Sequence, residues 1–293
     1  MSITPISGAG VALVTPFCND GNVDYPALRR ITEFTVSKGI DFLVALGTTA
    51  ETPTMDKAEK QEVVRVILEV NAGRKPVVLG LGGNDTRAIV KQIGEQSFDG
   101  ISFLLNVAPY YNKPNQTGLY QHFEAIAGSS PVPVILYNVP GRTGCNISAD
   151  TTLRLANDNP NIIGIKEASG NIDQLMTILR DRPREFSVLS GDDALTLPLL
   201  SLGADGVISV MGNAFPDRMH NLVKAMHQGH LAEAQKLHYD MLELMRLIFT
   251  EGSPAGIKSI MKDMGICTDT VRLPLTRISE ELSARMRNIC EAL

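Results

Sequence analysis

The 293-residue chain contains no tryptophan, only 15 tyrosines and phenylalanines (six and nine) and only four cysteines. The cysteines, at 18, 145, 267 and 290, are scattered and form no CxxC pair. A disulfide framework is not expected in a chain of this size. The five histidines lack metal-ligand spacing, and no HExxH or Cys/His cluster occurs, so no metal site is expected. There is no basic block, and the net charge is −5, which argues against nucleic acid as a partner. No apolar run reaches the ~18 residues of a membrane span. The opening MSITPISGAGVALVTPF has neither a basic segment nor a long apolar one, so no signal or transit peptide is expected. A cytoplasmic, metal-free globular protein is the expectation. At 44% hydrophobic residues the chain can bury one large core.

Short apolar runs alternate with amphipathic stretches. The runs are 11–14, 42–46, 77–79, 101–105, 134–137, 162–166, 187–190 and 206–209. Helical patterns such as 57–70 and 85–96 lie between them. Eight strand–helix units in the first 225 or so residues match an α/β fold of the (β/α)8 TIM-barrel type. A doubly wound sheet is the alternative and would need fewer strands or a break in the sheet. After about 225 the strands stop, and 231–249, 254–264 and 279–292 read as helices. We therefore expect a catalytic barrel over 1–225 and a C-terminal helical appendage over 226–293.

One lysine stands out. Lys166 ends the apolar run Ile162-Ile163-Gly164-Ile165 and is followed by Glu167-Ala168-Ser169-Gly170. An ammonium in such a place loses water, which favours the neutral amine, a nucleophile toward carbonyls. The bland alternative is a lysine that snorkels to water or pairs with an acid. In this barrel class, chemistry gathers at the C-terminal ends of the strands. Those ends carry Gly47-Thr48-Thr49-Ala50-Glu51, Pro109-Tyr110-Tyr111-Asn112, Tyr137-Asn138-Val139-Pro140-Gly141-Arg142-Thr143-Gly144, Lys166, Ser190-Gly191-Asp192-Asp193 and Ile208-Ser209. Each has an ordinary reading: Tyr137 as core, Arg142 as a surface ion pair, Tyr111 as interface packing, Asp192 and Asp193 as helix caps. Their placement at the same end of successive strands points to one site.

GTTAE at 47–51, PYYNKP at 109–114, YNVPGRTG at 137–144, IGIKEASG at 163–170 and SGDD at 190–193 make the chain resemble a known family. It is the pyruvate-dependent class I lyase and aldolase family of N-acetylneuraminate lyase, and within it the dihydrodipicolinate synthase branch. The resemblance implies condensation of pyruvate with aspartate 4-semialdehyde, on the route to diaminopimelate and lysine, with no cofactor beyond a covalent imine on Lys166. It implies that Tyr137 donates and accepts protons, and that Thr48 links it to Tyr111, which reaches in from a neighbouring subunit of a homotetramer built from two dimers. It assigns Arg142 to the semialdehyde carboxylate, Thr48, Thr49 and Ile208 to the pyruvate carboxylate through their backbones, and Gly191 to the pocket floor. The rivals are a sugar-acid lyase, a phosphate-sugar class I aldolase and a barrel that binds a keto acid without turnover. The Thr48-Thr49 pair and Arg142 favour the synthase. Ala50 departs from the family's usual glycine, which would leave that loop less free to bend. Lys60 and Ala88 stand where lysine-inhibited members carry histidine or glutamate, and glutamate, so weak or absent inhibition by lysine is expected.

Overall fold

A computed structural model describes residues 5–293. Strands β1 (Gly8–Ala12), β2 (Phe42–Ala45), β3 (Val77–Gly80), β4 (Phe103–Val107), β5 (Val134–Asn138), β6 (Ile162–Glu167), β7 (Ser187–Ser190) and β8 (Gly206–Ser209) close in sequence order into one barrel. A doubly wound sheet is open-edged, so closure excludes it. Helices alternate with the strands, the last at Pro216–His227, and Leu231–Leu247, Ala255–Asp263 and Glu280–Cys290 follow. Residue 225, the expected boundary, falls within a helix. None of the helices among the described residues is long and apolar enough to cross a membrane.

The local chemistry of the chain explains where its helices begin. Asp24, Asp56, Asp85, Asn115, Ser148, Asn171 and Ser279 each precede a helix, and each side chain accepts a backbone N–H of its first turn. Those N–H groups have no partner within the helix, so the caps stabilise it at its start. The strands are buried along almost their whole length, as parallel strands covered on both faces must be.

Contacts group the chain into two compact units. In the unit Pro76–Ile208, β5 and β6 pair in parallel with Tyr137 opposite Lys166 and Asn138 opposite Glu167. On the other side of β6, Lys166 pairs with Leu189 and Glu167 with Ser190. In the unit of Gly8–Lys75 with Ser209–Leu293, β1 pairs with β2. There the Asn213 carboxamide donates to Ala12 O (2.8 Å) and accepts from Val14 N (3.0 Å), which ties the end of β1 to the segment after β8.

Six strands depart from their expected bounds, and in three of them the departure has a visible consequence. β1 starts at Gly8 rather than Val11 because glycine has a packing role there. A Cβ on Gly10 would lie 2.0 Å from the Phe42 ring of the neighbouring strand. β4 runs past Leu105 through Asn106, whose buried carboxamide donates to Leu81 O at 2.6 Å while its Oδ1 has no partner among the described residues. β6 continues one residue beyond Lys166, so Glu167 is a buried strand residue.

Candidate active site

Within the unit Pro76–Ile208, three of the expected residues come together. Lys166 is 5% exposed and Tyr137 6%. The Lys166 Nζ lies over the Tyr137 ring, 4.3 Å from its centroid. Their opposition across the β5–β6 pair puts both side chains on the same face of the sheet. Gly191, just past β7, has its N–H on Glu167 O at 2.8 Å. A Cβ there would lie 3.1 Å from Lys166 Cε and 2.7 Å from Ala168 Cβ. Glycine thus leaves the room that the lysine side chain occupies.

The other expected residues of this unit are placed differently. Arg142 lies in the short helix Pro140–Thr143, exposed, and among the described residues its guanidinium meets no carboxylate. The surface ion pair of the bland reading is therefore not formed. Tyr111 is 88% exposed, with a left-handed backbone (φ 74). That conformation costs a bulky residue about 1–3 kcal/mol and persists only where its surroundings fix it. The Asn84 carboxamide does so, donating to Tyr110 O (3.1 Å), while Asn112 donates to Asn84 O (2.9 Å). The Cys145 thiol donates to Pro109 O, linking this segment to the loop after Arg142. Ile208 is buried on β8. Asp192 is a cap, as its ordinary reading had it, accepting from Ala194 N at 2.9 Å.

In the other unit, Thr48, Thr49 and Ala50 form a tight turn after β2, with Thr48 exposed and Thr49 buried. The left-handed residues flanking this turn are Leu46 and Glu51 (φ 55 each), and Ala50 is not among them. No glycine is needed at 50, which explains the departure from the family pattern. Glu51 is fully enclosed and accepts from Lys258 Nζ at 2.5 Å and from Arg272 N at 2.9 Å. Burial pushes the Lys258 ammonium down, and the Glu51 carboxylate works against that. Cys267 and Cys290 are pushed up to about 11 by burial, so they stay thiols rather than nucleophilic thiolates at neutral pH. Among the described residues no group of three or more His, Cys, Asp or Glu side chains could hold a metal ion.

Sequence reasoning passed over two buried charges, Glu167 and Lys258. The signal for the first was a carboxylate directly after the lysine of a buried strand. The second was a lone lysine within Ala255-Gly256-Ile257-Lys258-Ser259-Ile260.

The profile of the dihydrodipicolinate synthetase family matches residues 5–293. This chain belongs to that family. It is 49% identical over 275 residues to the 4-hydroxy-tetrahydrodipicolinate synthase of Parabacteroides distasonis, covering 93% of each chain. It is 45% identical over 293 residues to that of Chlorobaculum parvum, covering 100% of this chain and 99% of the other. The fold superimposes with a TM-score of 0.94 on the crystal structure of dihydrodipicolinate synthase from Aquifex aeolicus, at 40% identity and 98% coverage of both chains. The same TM-score and coverage, at 38% identity, hold for the chloride-inhibited enzyme of Acinetobacter baumannii complexed with pyruvate.

Proposed function

We propose that this family member is a 4-hydroxy-tetrahydrodipicolinate synthase, condensing pyruvate with L-aspartate 4-semialdehyde on the route to diaminopimelate and lysine. The observation that carries this reading is the buried Lys166 packed on Tyr137, in a chain 45–49% identical over nearly its full length to proteins of that name.

The chemistry needs no separate cofactor. The Lys166 amine adds to the keto carbon of pyruvate, and water leaves as the imine forms. The protonated imine withdraws electrons from the neighbouring methyl group, which loses a proton to give an enamine. The enamine carbon attacks the aldehyde of the second substrate. The amine of that substrate then displaces Lys166, closing the ring and freeing the lysine.

Tyr137 is assigned the proton transfers, with Thr48 and Tyr111 as its relay. Arg142, which meets no carboxylate among the described residues, offers a planar fork for the semialdehyde carboxylate, which a lysine would not reproduce. Backbone groups of Thr48, Thr49 and Ile208 are assigned to the pyruvate carboxylate, and Gly191 to the floor. The proposal extends to a homotetramer, a dimer of dimers, working in the cytoplasm, with Tyr111 completing the site of a second copy. It also extends to weak or absent inhibition by lysine, which an activity titration reads directly.

Incubation with pyruvate and borohydride, followed by peptide mass analysis, tests the reading. The reduced adduct is expected on Lys166 alone. A coupled assay then offers aspartate semialdehyde against N-acetylneuraminate. An adduct elsewhere, or turnover only of the sugar acid, would overturn the assignment.

A further inference from the structure

Glu167 is a buried carboxylate, 1% exposed, that meets no cation among the described residues. Burying such a charge is costly unless hydrogen bonds compensate for the lost water. Neutral donors supply them. Ser169 N donates to Oε1 at 2.6 Å, and the Asn138 and Gln174 carboxamides donate to Oε2 at 2.9 and 3.1 Å. A strand needs no such arrangement to be stable, since an apolar residue would serve.

The partners lead to each part of the proposed site. Glu167 follows Lys166 and Asn138 follows Tyr137, and successive strand side chains point to opposite faces. The Glu167–Asn138 bond therefore lies behind the Lys166–Tyr137 contact, toward the helix Ile172–Asp181 that carries Gln174. Asn138 reaches further. Its Nδ2 donates to Asn146 Oδ1 (2.7 Å), and its Oδ1 accepts from Ile147 N (3.0 Å). Asn146 also donates to Gln174 Oε1 (2.7 Å). Asn146 and Ile147 lie in the loop that follows the short helix Pro140–Thr143 carrying Arg142.

We propose that Glu167 is a positioning residue, fixing through Asn138, Asn146 and Gln174 both the Lys166–Tyr137 pair and the loop that presents Arg142. The inference rests on the function proposed above. Both Glu167 oxygens accept from N–H donors, so a glutamine would turn its own N–H₂ toward a donor in either orientation.

Glu167→Gln is tested with Asn146→Ala against the native enzyme. Three quantities are read: the rate of borohydride trapping at saturating pyruvate, the KM for aspartate semialdehyde, and the thermal midpoint. Small displacements of reacting groups cost up to roughly a hundredfold. For Glu167→Gln we expect trapping to slow and the semialdehyde KM to rise, each about tenfold or more. For Asn146→Ala we expect the KM to rise while trapping keeps its native rate. If Glu167→Gln fails to fold, Gln174→Ala takes its place with the same expectations. A folded variant at Glu167 or Gln174 with native trapping and native KM would overturn the proposal, even if its midpoint dropped. Equal effects of Asn146→Ala on trapping and KM would overturn the separate coupling to the Arg142 loop. An unlabelled Lys166 in the native enzyme would instead bring down the imine reading itself.

Discussion

The Lys166 Nζ rests on the face of the Tyr137 ring, 4.3 Å from its centroid, not against the hydroxyl. An ammonium over an aromatic face gains about 0.5–2 kcal/mol. That contact holds the lysine whether or not the ring carries a hydroxyl, so positioning and proton transfer can be separated. Tyr137→Phe keeps the ring and removes the phenol. We expect borohydride trapping of pyruvate to persist while steady-state turnover falls about 10²–10⁴-fold, the usual contribution of a positioned acid–base group. Native turnover in this variant would remove Tyr137 from the proton path.

Gly191 makes a complementary prediction. In Gly191→Ala the new Cβ would meet Lys166 Cε and Glu167 O at 3.1 Å, and Ala168 Cβ at 2.7 Å. The lysine could bend away, but Glu167 O and Ala168 are main chain and its nearest atom, so the strand end must shift. Overpacking of this kind costs about 1–3 kcal/mol. We expect a lowered thermal midpoint and imine trapping slowed tenfold or more, as roughly an ångström of displacement allows. Unchanged trapping would mean that Gly191 does not bound the space of Lys166.

Some of the residues assigned to the proposed site stand out in the sequence and others do not, and the reasons differ by residue. Lys166 announced itself because a cation in an apolar run violates the pattern of a buried strand. Asp192 was legible because an acid before a helical stretch caps it. Gly10 was not, because a glycine reads as a strand break until the Phe42 ring that needs its space is known. Glu167 was hidden because Lys166 looked like the end of the strand. Lys258 looked like one polar position on an amphipathic helix, and only the fold brings Glu51 to it. The Glu51 that meets Lys258, and the Asn138 that meets Glu167 from the neighbouring strand, are distant in sequence, so these partners cannot be read from local periodicity.

His122 makes stability depend on pH. It is 4% exposed, with Nδ1 on the Thr86 hydroxyl at 2.8 Å, and desolvation lowers it to about 4. The ordinary value is 6.5. The unfolded chain therefore binds a proton at this residue between those two values and the folded chain does not. Stability from the neutral imidazole is fully present above 6.5 and is lost as pH falls toward 4. The gap corresponds to about 3 kcal/mol. In His122→Gln this loss should disappear. Urea midpoints at pH 7.5 and pH 4.5 should show the native protein losing about 2–3 kcal/mol more than the variant. Parallel losses in the two proteins would show that His122 takes up its proton in the folded state.

Tyr111 tests the assembly. It is 88% exposed on a left-handed turn, held from behind by Asn84 and by the Cys145–Pro109 bond. Little in its own unit covers the ring, and the proposed function gives it to the site of a second copy. Two inactive variants make this measurable. Lys166→Ala lacks the nucleophile but keeps Tyr111, and Tyr111→Phe lacks the phenol but keeps the lysine. In Tyr111→Phe alone we expect turnover to fall about 10²-fold or more while imine trapping persists. If Tyr111 acts across subunits, refolding the two variants together brings an intact Lys166 and an intact Tyr111 into the same site. Activity should then rise well above the sum of the separate proteins, with mixed oligomers visible by sedimentation. If Tyr111 acts within its own chain, or has no chemical role, mixing restores nothing. A fully active monomer would dispose of the shared site altogether.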